Sequence, residues 1–299
     1  MKVLIFGCGF SGLEIGRRLA DQGVEVAGTT RSMEKFSELE SANIHPLLFD
    51  GETIDQTLVT ALSETTHLVI SIAPPRQETA GQTETRVDPV LAAVAEHDVS
   101  SLMPELTWIG YLSTVGVYGN HDGRWIDEAA PLSPTSARSR QRVRAEQEWT
   151  DEARALNVPL SIFRLSGIYG PGRNALRAAS EGRSRRLVKP GQVFNRIHVG
   201  DIAQAVEKAA GQNAEGIFNI TDDEPAAPQD VVAFAHQLLG TEPPEKMDFD
   251  KADLTPMARS FYGDNKRISN QRSKNQLCMD YQWPNYRTSL QRMFDENNW

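Results

Sequence analysis

The chain has 299 residues, 39% of them hydrophobic and 24% charged, and its 31 Lys and Arg against 40 Asp and Glu give a formal net charge of -9. That length suits one large α/β domain, alone or with a smaller second lobe. No apolar run approaches the ~18 residues of a membrane span, and the acidic balance argues against a nucleic-acid partner, whose phosphates are held by clustered positive charge.

In chain order, Val3 to Phe6 reads as an apolar strand, followed by Gly7-Cys8-Gly9-Phe10-Ser11-Gly12 and a helix-period run to about Gln22 that Gly23 ends. A strand opening this early leaves no room for a charged segment and an apolar core ahead of it. No signal peptide is therefore expected, and the expected compartment is the cytoplasm. Val24 to Thr30 is the second strand, Arg31-Ser32 lead into a helix through Leu39, and Ile44 to Phe49 is the third strand, closed by Asp50-Gly51. A short helix around Ile54 to Leu62 precedes the fourth strand, His67 to Ala73, which Pro74-Pro75 stop. Val87 to Glu96 has helical periodicity, Leu106 to Thr114 is the fifth strand, and a turn-rich loop leads to a helix over Ala137 to Leu156 and a sixth strand, Pro159 to Leu165. Beyond Gly170 the alternation weakens, with helix at Asp201 to Ala210 and Asp230 to Leu239 and strand at Ile217 to Ile220.

Alternating strands and helices predict a doubly wound parallel sheet of the Rossmann type, an α/β fold. Residues 1–169 are expected to form the dinucleotide-binding domain. Residues 170–299 should be mainly a small C-terminal substrate lobe, with some segments returning to the core. In a strand-turn-helix setting, Gly7 permits the turn, Gly9 lets the backbone approach a pyrophosphate, and Gly12 packs the helix on the strand, with the phosphates at the N-terminal amides of Phe10, Ser11 and Gly12.

The end of the second strand bears on cofactor choice. An acidic residue about 20 positions after the glycines accepts the ribose hydroxyls of NAD, whereas Arg accommodates the phosphate of NADP. Thr30, Arg31 and Ser32 stand there, with no carboxylate before Glu34, which favours NADP and leaves NAD as the other cofactor. Asp50 is a candidate acceptor for the adenine amino group and equally a turn residue before Gly51. Cys8 and Cys278 show neither metal-ligand spacing nor a pairing pattern and are read as reduced thiols, with no metal expected. Arg138, Arg140, Arg142 and Arg144, spaced by two, scatter around a solvated helix, partly paired with Glu146 and Glu148.

The glycine motif, together with Leu112-Ser113-Thr114-Val115-Gly116-Val117-Tyr118-Gly119, Arg164-Leu165-Ser166-Gly167-Ile168-Tyr169-Gly170-Pro171-Gly172 and Arg196-Ile197-His198-Val199-Gly200-Asp201, resembles the extended short-chain dehydrogenases/reductases of the NAD-dependent epimerase/dehydratase group. Lys266-Arg267-Ile268-Ser269-Asn270 adds a resemblance to the atypical members similar to the bacterial protein YeeZ. The resemblance implies a Tyr-x-x-x-Lys pair at the start of the helix after the fifth strand. Counting back from Ala145-Glu146 puts Arg138 at the tyrosine position and Arg142 at the lysine position, and Arg138 cannot shuttle a proton near neutrality. By the same resemblance Arg142 would hold the nicotinamide ribose, Ser113 and Thr114 would face the substrate, and Ser71, Ala73 and Pro74 would line the cofactor ribose and diphosphate. Ser166, Gly167 and Ile168 would lie along the nicotinamide ring.

Tyr118 is the third catalytic candidate beside Ser113 and Thr114; Tyr118 and Tyr169 are equally readable as packing residues. His198 is read as a hydrogen-bonded structural histidine. Arg173 or Arg196 could reach a substrate carboxylate or phosphate by forked hydrogen bonds, or be salt-bridged to the cap. The first functional reading is an NADP-dependent oxidoreductase or epimerase-like enzyme on a small polar or sugar-derived substrate. The second is an NADP(H)-binding sensor without turnover. The resemblance also implies a homodimer through the helices 87–96 and 137–156, against which the four arginines of the second helix weigh, because a buried guanidinium must be paired; no membrane partner is expected.

Overall fold

Val3, Leu4, Ile5 and Phe6 are at most 3% exposed, so β1 (Lys2–Phe6) is buried on both faces, as a central strand of a parallel sheet must be. The computed structural model describes residues 1–75 and 86–299, apart from the Met257 side chain. After β1 come α1 (Phe10–Ala20), β2 (Glu25–Thr30), α2 (Phe36–Ser41), β3 (His45–Leu48), α3 (Gln56–Glu64) and β4 (His67–Ile70). Next are α4 (Pro89–Ala93), α5 (Val99–Leu102), β5 (Trp108–Thr114), β6 (Trp125–Ile126), α6 (Ala137–Leu156), β7 (Leu160–Leu165) and β8 (Gly167–Tyr169). They are followed by α7 (Ala175–Ser180), β9 (Leu187–Val188), β10 (Arg196–His198), α8 (Val199–Gln212), β11 (Gly216–Ile220) and α9 (Pro228–Leu238). The chain closes with β12 (Met247–Asp248), α10 (Pro256–Phe261), β13 (Arg267–Ile268), α11 (Gln271–Gln276) and α12 (Tyr286–Asp295).

Seven strands form one sheet in the order β11-β7-β5-β4-β1-β2-β3, each pairing parallel. One face buries Ile15 and Leu19 of α1 with Ile202 and Val206 of α8; the other buries Leu58 and Leu62 of α3 with Trp149 of α6. This is the doubly wound Rossmann-type sheet expected from the alternation. β11 completes its edge by pairing with β7 from Gly216↔Ser161 to Ile220↔Leu165. Thus part of the chain beyond residue 170 belongs to the core, and the lobe is built from the rest. In the lobe, α7, α9 and α12 close around Leu176, Ala235, Leu290 and Met293, and a smaller group joins Leu187, Phe249, Ala252 and Tyr262.

Two expected helices differ in form. The segment 87–96 is shortened to α4, which Asp88 caps, and a separate α5 starts beyond it at Asp98, which accepts from the Ser100 amide at 3.2 Å. The helix after β2 begins as a 3-10 turn at Met33–Lys35 before α2. On α6, Arg138, Arg140 and Arg144 are exposed and Arg142 is buried. The expected pairing of these arginines with Glu146 and Glu148 is corrected: Glu146 pairs with Arg164 of β7, and Glu148 accepts from the Val87 and Asp88 amides at 2.9 and 3.0 Å.

Candidate functional site

The strand order reverses at β1, between β4 and β2, which opens a crevice at the carboxyl ends of the strands. Into it runs the glycine turn. Gly7 has φ +95°, a conformation L side chains rarely adopt, and a Cβ on Gly12 would lie 2.2 Å from the Gly7 carbonyl oxygen. Gly9 is exposed and a Cβ there would meet nothing within 4 Å. No side chain caps α1 at Gly9. The first-turn amides of Phe10, Ser11 and Gly12 therefore keep the hydrogen-bonding capacity and partial positive charge that draw an anion. β2 pins this loop: Thr29 Oγ1 accepts from the Gly7 amide at 2.9 Å, and the Cys8 amide donates to the Thr29 carbonyl at 2.8 Å. Cys8 packs on Gly28, and burial pushes its thiol up to about 12, which makes it a packing residue.

At the end of β2, Thr30 is buried and its hydroxyl accepts from the Ser32 amide at 3.4 Å, while Ser32 caps the 3-10 turn through the Glu34 amide. Arg31 between them is exposed. Asp50 is exposed and caps a turn: Oδ1 accepts from the Glu52 and Thr53 amides at 2.8 and 3.0 Å, bonds that hold its carboxyl below the usual range. That is the turn role open to it from sequence. Ser71 is half-buried, Ala73 exposed and Pro74 buried just past β4, where Ile72 crosses Gly7.

Past β5 the expected residues separate. Thr114 is half-buried, and its hydroxyl oxygen accepts from the Gly116 amide at 3.1 Å, which leaves its proton available to donate. Ser113 is corrected: its hydroxyl turns inward and donates to Glu146 Oε1 at 2.5 Å. Tyr118 is corrected as well. It is 0% exposed, donates to Asn219 Oδ1 at 2.8 Å, accepts from Arg164 Nη1 at 3.0 Å and lies under the Arg164 guanidinium. Burial raises its pKa, so it has neither the access nor the acidity of a proton donor. Arg142, expected at the nicotinamide ribose, is buried, and its Nη1 donates to the Tyr111 hydroxyl at 2.9 Å and the Leu112 carbonyl at 2.8 Å.

Sequence reasoning missed the group behind these corrections. Glu146 receives Arg164 Nε at 3.2 Å and Nη2 at 2.7 Å, and Glu128 accepts from the Asn219 amide at 2.8 Å, extending the chain of contacts to β11. The available signal was Arg164 within the otherwise apolar run Ile162 to Leu165, since a buried guanidinium needs a counter-ion. Also missed was a strap over residues 264–270. The Lys266 ammonium donates to the Gly119 carbonyl at 2.6 Å and Asp264 Oδ2 at 3.4 Å, Thr135 donates to Asp264 at 3.0 Å, and Asn195 ties to the Lys266 carbonyl and the Ile268 amide. The strap joins the loop after β5 to the lobe.

On the lobe side Ser166 is buried and Gly167 is exposed. Tyr169 is core, edge-on to His198 at 5.3 Å. His198 Nδ1 accepts from the Gly200 amide at 3.1 Å and the ring stacks on Trp283 at 3.8 Å. Burial pushes its pKa down to about 3, so it is a neutral structural residue, as the sequence suggested. Asp201 holds the Gln282 and Trp283 amides, both at 3.0 Å, and burial raises it to about 6. Arg173 is exposed and lies over Phe10. Arg196 is half-buried, with Nη1 donating to the Phe194 and Ala226 carbonyls at 2.9 and 3.1 Å. Burial raises the Asp222 carboxyl well above its ordinary range, and the Arg196 charge opposes that shift.

A parallel doubly wound sheet with a glycine turn at its switch point and a cap lobe across its carboxyl edge defines a nucleotide-binding-type α/β protein. The profile of the NAD dependent epimerase/dehydratase family matches residues 3–221, and the chain belongs to that family. Comparison with curated proteins gave no match. Among solved structures, the chain is similar to a functionally unknown conserved protein from Silicibacter pomeroyi, with 44% identity, 99% of this chain and 98% of that chain covered, and a TM-score of 0.87. The fold is also that of dTDP-glucose 4,6-dehydratase from Bacillus anthracis in complex with NAD (19% identity, 100% and 97% covered, TM-score 0.76). UDP-glucuronic acid 4-epimerase from Bacillus cereus in complex with UDP-glucuronic acid and NAD shares it too, at 17% identity, 99% and 98% covered and TM-score 0.73. Among the described residues no helix is long and apolar enough to cross a membrane, and no group of three or more His, Cys, Asp or Glu could hold a metal ion.

Proposed function

We propose that the protein is an NADP-dependent oxidoreductase or epimerase-like enzyme acting on a small polar or sugar-derived substrate. The observation that carries the reading is the exposed Arg31 beside a glycine turn whose Gly9 leaves open space before an uncapped helix N-terminus. The α1 amides would hold the diphosphate, and the Arg31 guanidinium, with the Ser32 hydroxyl next to it, would take the ribose phosphate by charge-assisted hydrogen bonds. A bound nicotinamide would supply or accept hydride. The Thr114 hydroxyl then has the free proton and the position to hydrogen-bond a substrate carbonyl or hydroxyl.

The family relatives in complex with NAD support a nicotinamide nucleotide in the crevice, and Arg31 is this chain's reason for the phosphorylated form. A second reading, an NADP(H) sensor without turnover, is favoured by one feature: Tyr118 and Tyr169 are both buried and Arg138 stands where the family's tyrosine is expected. Fluorescence titration with NADPH and NADH tests the first reading. The wild type binds NADPH more tightly, and Arg31→Asp weakens NADPH at least tenfold while changing NADH little. Equal affinities, or an equal loss of both, overturn the role of Arg31. A screen for substrate-dependent NADPH oxidation separates the enzyme from the sensor.

A further inference from the structure

We propose that the protein has a second binding site, at the amino edge of the sheet, that takes a flat aromatic amine. A cavity of about 440 Å³ lies there, between α3 and the amino-terminal ends of β1, β2 and β3, where Lys2, Glu25 and His45 stand. Pockets for small ligands span about 300–1,000 Å³. The cofactor crevice opens at the opposite, carboxyl ends of the same strands, so the two sites are separate and the inference does not rest on the cofactor reading. The cavity follows from where small residues fall. In the parallel register Lys2 lies beside Glu25, and Ala27 beside Leu4 and His45, so these side chains share one sheet face, to which alternation adds Leu47. α3 lies on this face because Leu58 and Leu62, both 0% exposed, pack with Leu4 and Leu47. Its adjoining stripe, Thr57, Thr60, Ala61 and Glu64, has the i, i+3, i+4, i+7 spacing of one helix face and lines the cavity.

With Ala27 on the sheet wall and Ala61 on the helix wall, neither side fills the gap. What remains is a slit between a helix and a sheet, about 10 Å long from the rise between residues 57 and 64, which suits a planar body of two fused rings. The charges at its end select the ligand. Lys2 Nζ meets Glu64 at 2.8 Å and Glu25 at 3.7 Å, one ammonium against two carboxylates. The Glu25 carboxylate has no other ion pair or hydrogen bond among the described residues, and its side chain is 69% exposed. His45, on the β3 side, adds positive charge only when protonated. An ammonium on the ligand would complete the pairing of Glu25, whereas a carboxylate there would be repelled. The Thr57 hydroxyl, which also has no hydrogen bond among the described residues, is an acceptor for a ring N–H.

The test titrates the full-length protein by calorimetry at low ionic strength with tryptamine and with indole-3-propionate, which carries the same ring and the opposite charge. Tryptamine is expected to bind with a Kd below about 1 mM, and indole-3-propionate about tenfold or more weaker. Glu25→Gln should weaken tryptamine about threefold, the size that an exposed charge screened by solvent allows, and should not weaken indole-3-propionate. Ala61→Leu fills the slit and should abolish tryptamine binding. Thr60→Trp covers the slit from an exposed position, so the location is tested even if Ala61→Leu does not fold. No saturable binding of tryptamine by the wild type overturns the inference, and so does equal affinity for the two probes or an unchanged affinity in folded Thr60→Trp. Displacement of tryptamine by NADPH would put the probe in the crevice and overturn it as well. Failure of NADPH to bind bears on the cofactor reading alone and leaves the comparison of the two indoles standing.

Discussion

Replacing Arg164 with Leu should be among the most destabilising single changes in the sheet. The Arg164 and Glu146 side chains are 3% and 6% exposed, and two guanidinium nitrogens satisfy both carboxylate oxygens at 3.2 and 2.7 Å. Burial acts against the arginine's charge, and Glu146 more than restores it, so that its pKa is raised. Removal of the cation leaves Glu146 buried with only the Ser113 hydroxyl on Oε1 and nothing on Oε2 in its place. An uncompensated buried charge of this kind costs about 3–5 kcal/mol. With a urea slope near 3 kcal/mol/M, the midpoint should fall by about 1–1.7 M. The double variant Arg164→Leu, Glu146→Met removes both charges and should recover most of that loss. A single-variant shift below about 0.3 M, or a double variant no better than the single, would refute the claim that the pair is held by mutual charge compensation.

The remaining predictions concern pH and thiol chemistry. His198 has a folded-state pKa of about 3 against an ordinary value near 6.5, so the unfolded chain binds more protons between these limits and stability falls as pH drops below 6.5. Asp88 and Asp201, raised by burial to about 6, act in the opposite sense: their contribution is lost as pH rises from about 4 to 6. His198→Asn keeps a capping oxygen for α8 and should therefore lose about 2 kcal/mol less than the wild type between pH 7 and pH 5, read from urea midpoints. Equal losses in the two proteins would refute the assignment. Cys8 is buried with its thiol near 12 and Cys278 is exposed. A disulfide reagent should titrate one thiol in the native protein and two in denaturant, and two rapid native thiols would contradict the packing of Cys8 on Gly28.

The legible parts of the site were those fixed by backbone geometry. Gly7, Gly9 and Gly12 have no side chain to misplace, and the turn they make follows from their spacing between a strand and a helix. Residues such as Ser113, Tyr118 and Arg142 were misread because each sits at the right place along the chain, yet a strand alternates its faces and a helix rotates about 100° per residue. Tyr118 is the last residue of the 3-10 turn Val115–Tyr118, which Thr114 caps, and that turn carries its ring inward to Arg164 and Asn219 while Thr114 stays half-buried. The helix expected at 87–96 shows the same limit at the scale of elements: α4 starts at the Asp88 cap and ends at Ala93, and Asp98 caps a separate α5 beyond the segment.

By itself the sequence determined the order of strands and helices, the parallel sheet and the glycine turn, because these depend on local periodicity and on backbone freedom at Gly7. Tertiary structure alone decided that Glu146 serves Arg164 in place of the neighbouring arginines, that β11 returns to the sheet edge beside β7, and that the Asp222 amide bonds the Arg196 carbonyl. Those pairings join residues far apart in the chain, and their partners are chosen by burial and charge compensation in three dimensions, for which linear spacing carries no signal.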